Sequence, residues 1–171
     1  MMETQKKDMP LDTIIAVAQL WLAAGENSQL ELAALEPTLW HDRHADIADL
    51  VMELKQLRVK DKTPIVSITS NGINLKRFIP KLKKAAIDKI RISWHTCDAA
   101  VFSDISGQNK YSIFKESIDT AVKQKLNVSF NRLLLKNYIN DLPQQLEYIE
   151  KHQLSLKLYD LYWTDKISNI Y

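Results

Sequence analysis

The stretch PIVSITSNGINLKRFIPKLKKAAIDKIRISW, residues 64–94, decides the fold. Residues 64–69 are short, apolar and β-branched, which suits a buried, pleated strand. Asn71-Gly72 is a turn dipeptide. Residues 75–86 carry apolar side chains at helical spacing with lysines between them, and residues 88–94 read as a second strand. Strand, helix and strand within about 30 residues predict a right-handed βαβ unit, and with it a parallel sheet.

Outward from that unit the pattern repeats. Residues 11–24 have helical spacing and Gly25 stops them. LELAAL, residues 30–35, is a short apolar run closed by Pro37. In residues 46–58 an apolar stripe of Ile47, Leu50, Val51, Leu54 and Leu57 marks a helix. Residues 111–124 and 141–152 are further helices; LNVSFN (126–131) and LSLKLYDLYW (154–163) are further strands. The fold class is therefore α/β, with five strands behind a leading helix, in a single domain over residues 1–171. An open doubly wound sheet and a partial (β/α) barrel both accommodate this order. A leading helix with no strand before it is what a barrel shows when its first strand is missing.

Of the 171 residues, 46% are hydrophobic, enough for a sizeable core. A net charge of +2, with basic residues spread along the chain, argues against a nucleic-acid footprint. The single cysteine, Cys97, allows no internal disulfide and points to a reducing, cytoplasmic setting. Lys6-Lys7 before an apolar run resemble a signal peptide superficially, but Asp12 and Gln19 favour an amphipathic helix. No run approaches the ~20 apolar residues of a membrane span. Only three glycines occur, too few for a Gly-rich phosphate cradle.

In parallel α/β folds ligands bind beyond the C-terminal strand ends. Those ends carry Glu36-Pro37-Thr38, then Thr69-Ser70-Asn71-Gly72, Ser93-Trp94-His95, Ser129-Phe130-Asn131 and Tyr159-Asp160. Each has a purely structural explanation: Asn-Gly as a turn, Ser93 bonding its own backbone, Asn131 capping a loop, a carboxylate before proline left in water. Together, a carboxylate, hydroxyls and amides at successive strand ends suit a polar small molecule with amino, carboxylate and ribose groups.

SITSNGINLKRFIPKLKKAAIDKIRISWHTCDAAVFSDISG, followed by VSFNRLLLKNYINDLPQQLEYIEKHQL, resembles the radical S-adenosylmethionine (radical SAM) superfamily, and within it the GTP 3',8-cyclases of molybdenum-cofactor synthesis. Thr69 to Gly72 match a TTNG strand end, Ile92-Ser93-Trp94-His95 a VSLD element, and Phe102 and Ile105-Ser106-Gly107 a downstream Phe and ITG. Asn131 and Asn140 match a spaced asparagine pair, and LELAALEPTLW falls where the family has GGEPTL, keeping Glu36 to Leu39. The likeness covers residues 11–163. It implies a partial (β/α) barrel and reductive cleavage of S-adenosylmethionine at a 4Fe–4S cluster. It also implies Glu36 on the methionyl amino group, Thr69 or Ser70 with Ser93 at the carboxylate and ribose region, Asn131 on the nucleoside side, and Asn71 with the rest of SITSNG as one wall of the cofactor site.

Two departures stand out. The family's CxxxCxxC, whose thiolates hold the cluster, has no counterpart, and Cys97 lies after the third strand. Ala34 and Leu35 replace both glycines before Glu36, so Leu35 either crowds the methionine moiety or points into the barrel. The family's first strand and cluster loop would precede residue 1, which implies a truncated chain, inactive alone, with Met1 an internal methionine. An open sheet edge and self-association would follow. The alternative is a cluster-less, non-catalytic ligand-binding or partner protein on the same fold. A GTP-cyclase assignment would further require a second cluster, for which there are no cysteines. The substrate is not legible.

Elsewhere, His41 and His44 stand at metal-ligand spacing but lack a third ligand nearby, which favours a polar loop. His95 and Cys97 form a conceivable nucleophile pair, set against a packed thiol and a histidine at the mouth. Tyr162 and Trp163 read as core closure.

Overall fold

Asp46 starts a helix because its carboxylate accepts the N–H groups of Ala48 and Asp49, while Asp49 reaches back to the Asp46 N–H at 2.9 Å. This capping box satisfies donors that a helix start leaves orphaned. The helix, α2 (Ile47–Gln56), then buries Ile47, Ala48, Leu50, Val51 and Leu54. Ile47, Leu50, Val51 and Leu54 each contribute about 1.5–3 kcal/mol by that burial, and Ala48 less.

A computed structural model describes residues 8–25, 28–33, 35–58, 61, 63–135 and 138–160. The order is α1 (Leu11–Ala24), β1 (Gln29–Leu32), a 3-10 turn (Pro37–Leu39), a hairpin of β2 (His41–Asp42) and β3 (Ala45–Asp46), α2, then β4 (Ile65–Ser70). A second 3-10 turn (Leu75–Arg77), α3 (Ile79–Lys84), β5 (Lys89–Ser93), α4 (Ala99–Ser106), α5 (Tyr111–Lys123), β6 (Val128–Leu133), α6 (Leu142–Lys151) and β7 (Ser155–Tyr159) follow. Five strands form a parallel sheet in the order β1-β4-β5-β6-β7. The α/β class with a parallel sheet is the one expected from sequence. The expected strand over residues 154–163 is described as far as Tyr159, and Tyr162 and Trp163 lie outside the described residues.

Two compact units make up the chain, Met1–Ser70 with Arg77–Ile90, and Asn71–Lys76 with Arg91–Tyr171. In the first, Leu22, Leu50, Val51, Leu54, Val66, Ile68, Ile79 and Leu82 form the core. Asp88 Oδ2 accepts from the Val66 N–H and from Lys55 Nζ, both at 2.7 Å, and the same ammonium donates to Pro64 O at 2.9 Å. One carboxylate and one lysine thus fix where β4 begins. In the second unit Trp94, 1% exposed, packs edge-on against Phe130 and Tyr148 at 5.1 and 5.2 Å. Phe114 of α5 adds a third ring edge-on at 6.5 Å, and Ile118 and Ala121 on the same helix are fully buried.

Three helices end alike. After α3, α5 and α6 the chain turns through Ala86, Lys125 and Gln153 at φ 56°, 56° and 52°. The next residues, Ile87, Leu126 and Leu154, send their N–H back to Leu82, Ala121 and Ile149. These are Schellman closures, with a non-glycine residue at the left-handed position each time.

Candidate functional site

In the first unit, the chain leaves β1, passes Leu35 and enters the 3-10 turn that Pro37 opens. Proline suits that position, since the first N–H of a helical turn has no partner. Glu36, 8% exposed, precedes it. Its Oε1 accepts from Thr38 N at 3.1 Å, Thr38 Oγ1 at 2.6 Å and Ser70 Oγ at 2.8 Å. A buried carboxylate is tolerated only when hydrogen-bonded this fully. Ser70, the last residue of β4, thereby ties the end of one strand to the carboxylate that follows the other. Arg77 Nη2 donates to Thr38 O at 3.3 Å and steadies the turn.

Thr69, one residue earlier on β4, points the other way. Its hydroxyl donates to the exposed Glu31 Oε1 at 2.7 Å. Of the residues expected to bind a ligand, this unit brings Glu36 and Ser70 together and leaves Thr69 apart. Leu35 has φ 38° and a fully exposed side chain, so it does not point into the core. It holds the left-handed backbone that a glycine would adopt freely. Ala34 lies outside the described residues.

In the second unit, Asn71 is exposed and its Oδ1 accepts the Ile73 N–H at 3.0 Å, an Asx turn. Gly72 has φ +80°, and a Cβ there would lie 2.9 Å from the Phe114 ring. Local geometry therefore requires the Asn-Gly pair whatever else it does. Ser93 ends β5 and Asn131 lies within β6; both are half-buried. Trp94 N donates to Asn131 O at 2.9 Å, which joins the two strands at this level.

A polar network absent from the expected list follows directly. Arg132, 1% exposed, donates through Nη1 to Gln145 Oε1 at 2.9 Å and through Nη2 to Tyr138 O at 2.7 Å and Asp141 Oδ1 at 2.6 Å. Asp141 Oδ2 accepts from Thr96 Oγ1 at 2.7 Å and from Cys97 N. Gln145 Nε2 donates to Trp94 O at 2.8 Å. Burial alone would push the Asp141 carboxyl up, but Arg132, Thr96 and the Cys97 N–H outweigh it and hold it below the usual value. An arginine directly after the apolar VSFN run was the available signal, because a buried guanidinium requires partners.

His95 and Cys97 sit beside this network. Leu133 N donates to His95 Nδ1 at 3.1 Å. Burial, then Asp141, pushes the Cys97 thiol up to about 11, which keeps it protonated and poorly nucleophilic. His41 Nδ1 lies 3.5 Å from Asp8 and 3.3 Å from Leu39 O. Among the described residues no group of three His, Cys, Asp or Glu side chains is placed to hold a metal ion. No helix among them is long and apolar enough to cross a membrane.

The model of the radical SAM superfamily matches residues 2–147. The chain belongs to the radical SAM superfamily. Among its relatives is a probable GTP 3',8-cyclase of Sulfolobus acidocaldarius, 34% identical over 128 residues, which are 75% of this chain and 36% of that protein. Another, from Sulfurisphaera tokodaii, is 28% identical over 93% of this chain and 52% of its own length. The chain thus spans about a third to a half of the curated relatives it matches. In three dimensions it is similar to Streptococcus suis SuiB, with a TM-score of 0.74 at 13% identity over 94% of this chain and 36% of that one. SuiB bound to S-adenosylmethionine gives 0.71 at 14% identity over 92% of this chain and 35% of that one. These likenesses show the fold.

Within this radical SAM chain the two family cofactors fare differently. A buried carboxylate held by hydroxyls, behind a residue kept in a glycine-like conformation, fits the amino group of S-adenosylmethionine. A 4Fe–4S cluster does not fit: it needs three thiolates, and the 171 residues contain one cysteine whose thiol is held protonated.

Proposed function

We propose that this chain is an S-adenosylmethionine-binding domain of a radical SAM protein, with Glu36 as the anchor for the methionyl ammonium. The observation that carries this is the Glu36 cradle. An ammonium meeting an already desolvated, pre-oriented carboxylate forms a charge-assisted bond, stronger than a neutral one. Ser70 orients that carboxylate. Ser93, Asn71 and Asn131 of the second unit carry a hydroxyl and amides that suit a ligand of this chemistry, whereas the Thr69 hydroxyl is engaged by Glu31. A solved chain of this fold that holds S-adenosylmethionine supports the assignment.

The family's reaction, reductive cleavage of the bound cofactor, draws on a cluster whose thiolates are not among these residues. We therefore assign the chain the binding role and no chemical step. The single cysteine fits both a domain whose cluster ligands lie elsewhere and a cluster-less ligand-binding protein on the same fold.

Isothermal titration with S-adenosylmethionine tests this. Wild-type protein should bind, and Glu36→Gln, which keeps the shape and the hydroxyl contacts, should bind about 10–100-fold more weakly, the worth of one charge-assisted bond. Equal affinity in both, or none in wild type at millimolar ligand, would remove Glu36 as an anchor.

A further inference from the structure

We infer that His95 is a positioning residue that works only as a neutral imidazole, its Nδ1 tying the end of β5 to the end of β6. The role depends on the proposed ligand site in one respect: the strand ends it joins carry Ser93 and Asn131.

The bond itself dictates the tautomer. A backbone N–H can only donate, so the 3.1 Å contact from Leu133 N requires a lone pair on His95 Nδ1. The ring proton must then sit on Nε2. Protonating the ring would place an N–H on Nδ1, facing the Leu133 N–H, and the bond would become a clash of donors. The charged form also meets Arg132, whose guanidinium lies buried on the same strand as Leu133. Burial of the ring and this cation together lower the His95 pKa from 6.5. The carboxylate that could offset them, Asp141, is bonded to Arg132, Thr96 and Cys97. The Cys97 thiol carries no charge at neutral pH.

The connection matters because the neighbouring bonds run in parallel with it. Trp94 N to Asn131 O joins the strands one level earlier, and Gln145 fixes Trp94 O from α6. Between the Trp94–Asn131 bond and the Asp141 contacts to Thr96 and Cys97, His95 is the residue whose side chain holds β6. Acid releases that side chain while Asp141, held below the usual carboxylate range, keeps its own contacts. The strand ends should loosen locally rather than unfold.

Two substitutions separate the imidazole's acceptor from its charge. His95→Asn places an amide oxygen near the Nδ1 position and cannot titrate; His95→Phe has no acceptor. Long-range proton–nitrogen NMR of the full chain should show neutral His95 with its proton on Nε2 at pH 7.5. The Leu133 amide should exchange faster below pH 6 in wild type but not in His95→Asn, once intrinsic exchange is corrected. S-adenosylmethionine affinity should fall about 3–10-fold between pH 7.5 and 5.5 in wild type beyond the change in His95→Asn, and His95→Phe should show the loss at both pH values. A proton on Nδ1, an imidazolium at pH 7.5, or the same pH slope in His95→Asn overturns the inference. If no ligand binds wild type at pH 7.5 the proposed function fails, and the NMR and exchange results still decide the tie.

Discussion

Replacing Ala86, Lys125 and Gln153 by glycine should stabilise this protein, although each change removes a side chain. All three are exposed, so no packing is lost. All three hold left-handed backbone at a Schellman closure. That conformation costs an L-residue about 1–2 kcal/mol, and glycine avoids this while giving back about 0.5–1 kcal/mol in chain entropy. The net is roughly 0.5 kcal/mol per site, or about 1.5 kcal/mol for the triple variant, taking the sites as additive because they end different helices. For a domain of this length that corresponds to a rise in Tm of about 3–6 °C. Differential scanning calorimetry and urea titration measure it. Lys123→Gly is the control: two residues from Lys125, exposed, but still helical as the last residue of α5, where glycine should cost up to about 1 kcal/mol. Opposite signs at Lys123 and Lys125 confirm the geometry. A triple variant no more stable than wild type would refute it.

Gly72→Ala should destabilise by about 2 kcal/mol or more, because a Cβ there meets the Phe114 ring and the backbone is left-handed, and chemical denaturation will show it. Anaerobic reconstitution of this chain with iron and sulfide should leave no stoichiometric cluster, and iron and sulfide retained in the purified protein would contradict the misfit found for Cys97. Stability should fall on acidification in two stages. His95 has a lowered folded pKa, so the unfolded chain binds the extra proton first and stability drops as pH falls below 6.5. Asp46 and Asp141, also lowered, contribute above 3.8 and lose that contribution as pH falls through their folded values. Urea midpoints from pH 8 to 2 will resolve the stages, and a flat profile from pH 7 to 5 would rule out the His95 contribution.

The helix over residues 11–24 was legible because its periodicity extends through all of α1 and ends at Gly25. Gly25 itself is extended at φ −112°, so it stops the helix without the left-handed turn that glycine usually supplies. The expected helix over 75–86 is interrupted: a 3-10 turn ends at Arg77, and α3 starts afresh with Pro80 in its first turn, where the missing N–H does no harm. Helix α4 escaped notice because Phe102 is its one buried residue, which leaves no stripe to read. Strand β6 runs on to Leu133, past the expected end at residue 131, because Arg132 is buried against Asp141 and Gln145 rather than exposed as its charge suggests. Glu36 was legible as a candidate. Its Ser70 partner was legible as a strand end, but their bond spans 34 positions and no local pattern encodes it.

That bond has a consequence for how variants of this chain would accumulate. In the proposed site Ser70 acts on the ligand through Glu36, so losing the hydroxyl and losing the carboxylate interrupt the same path. The two changes should show one-sided epistasis: losing Ser70 is nearly silent once Glu36 is gone, whereas losing Glu36 still costs binding when only Ser70 is gone, because Thr38 keeps the carboxylate in place. A lineage that abandons Glu36 is thereby released to vary at Ser70, whereas one that keeps the carboxylate must retain a donor beneath it.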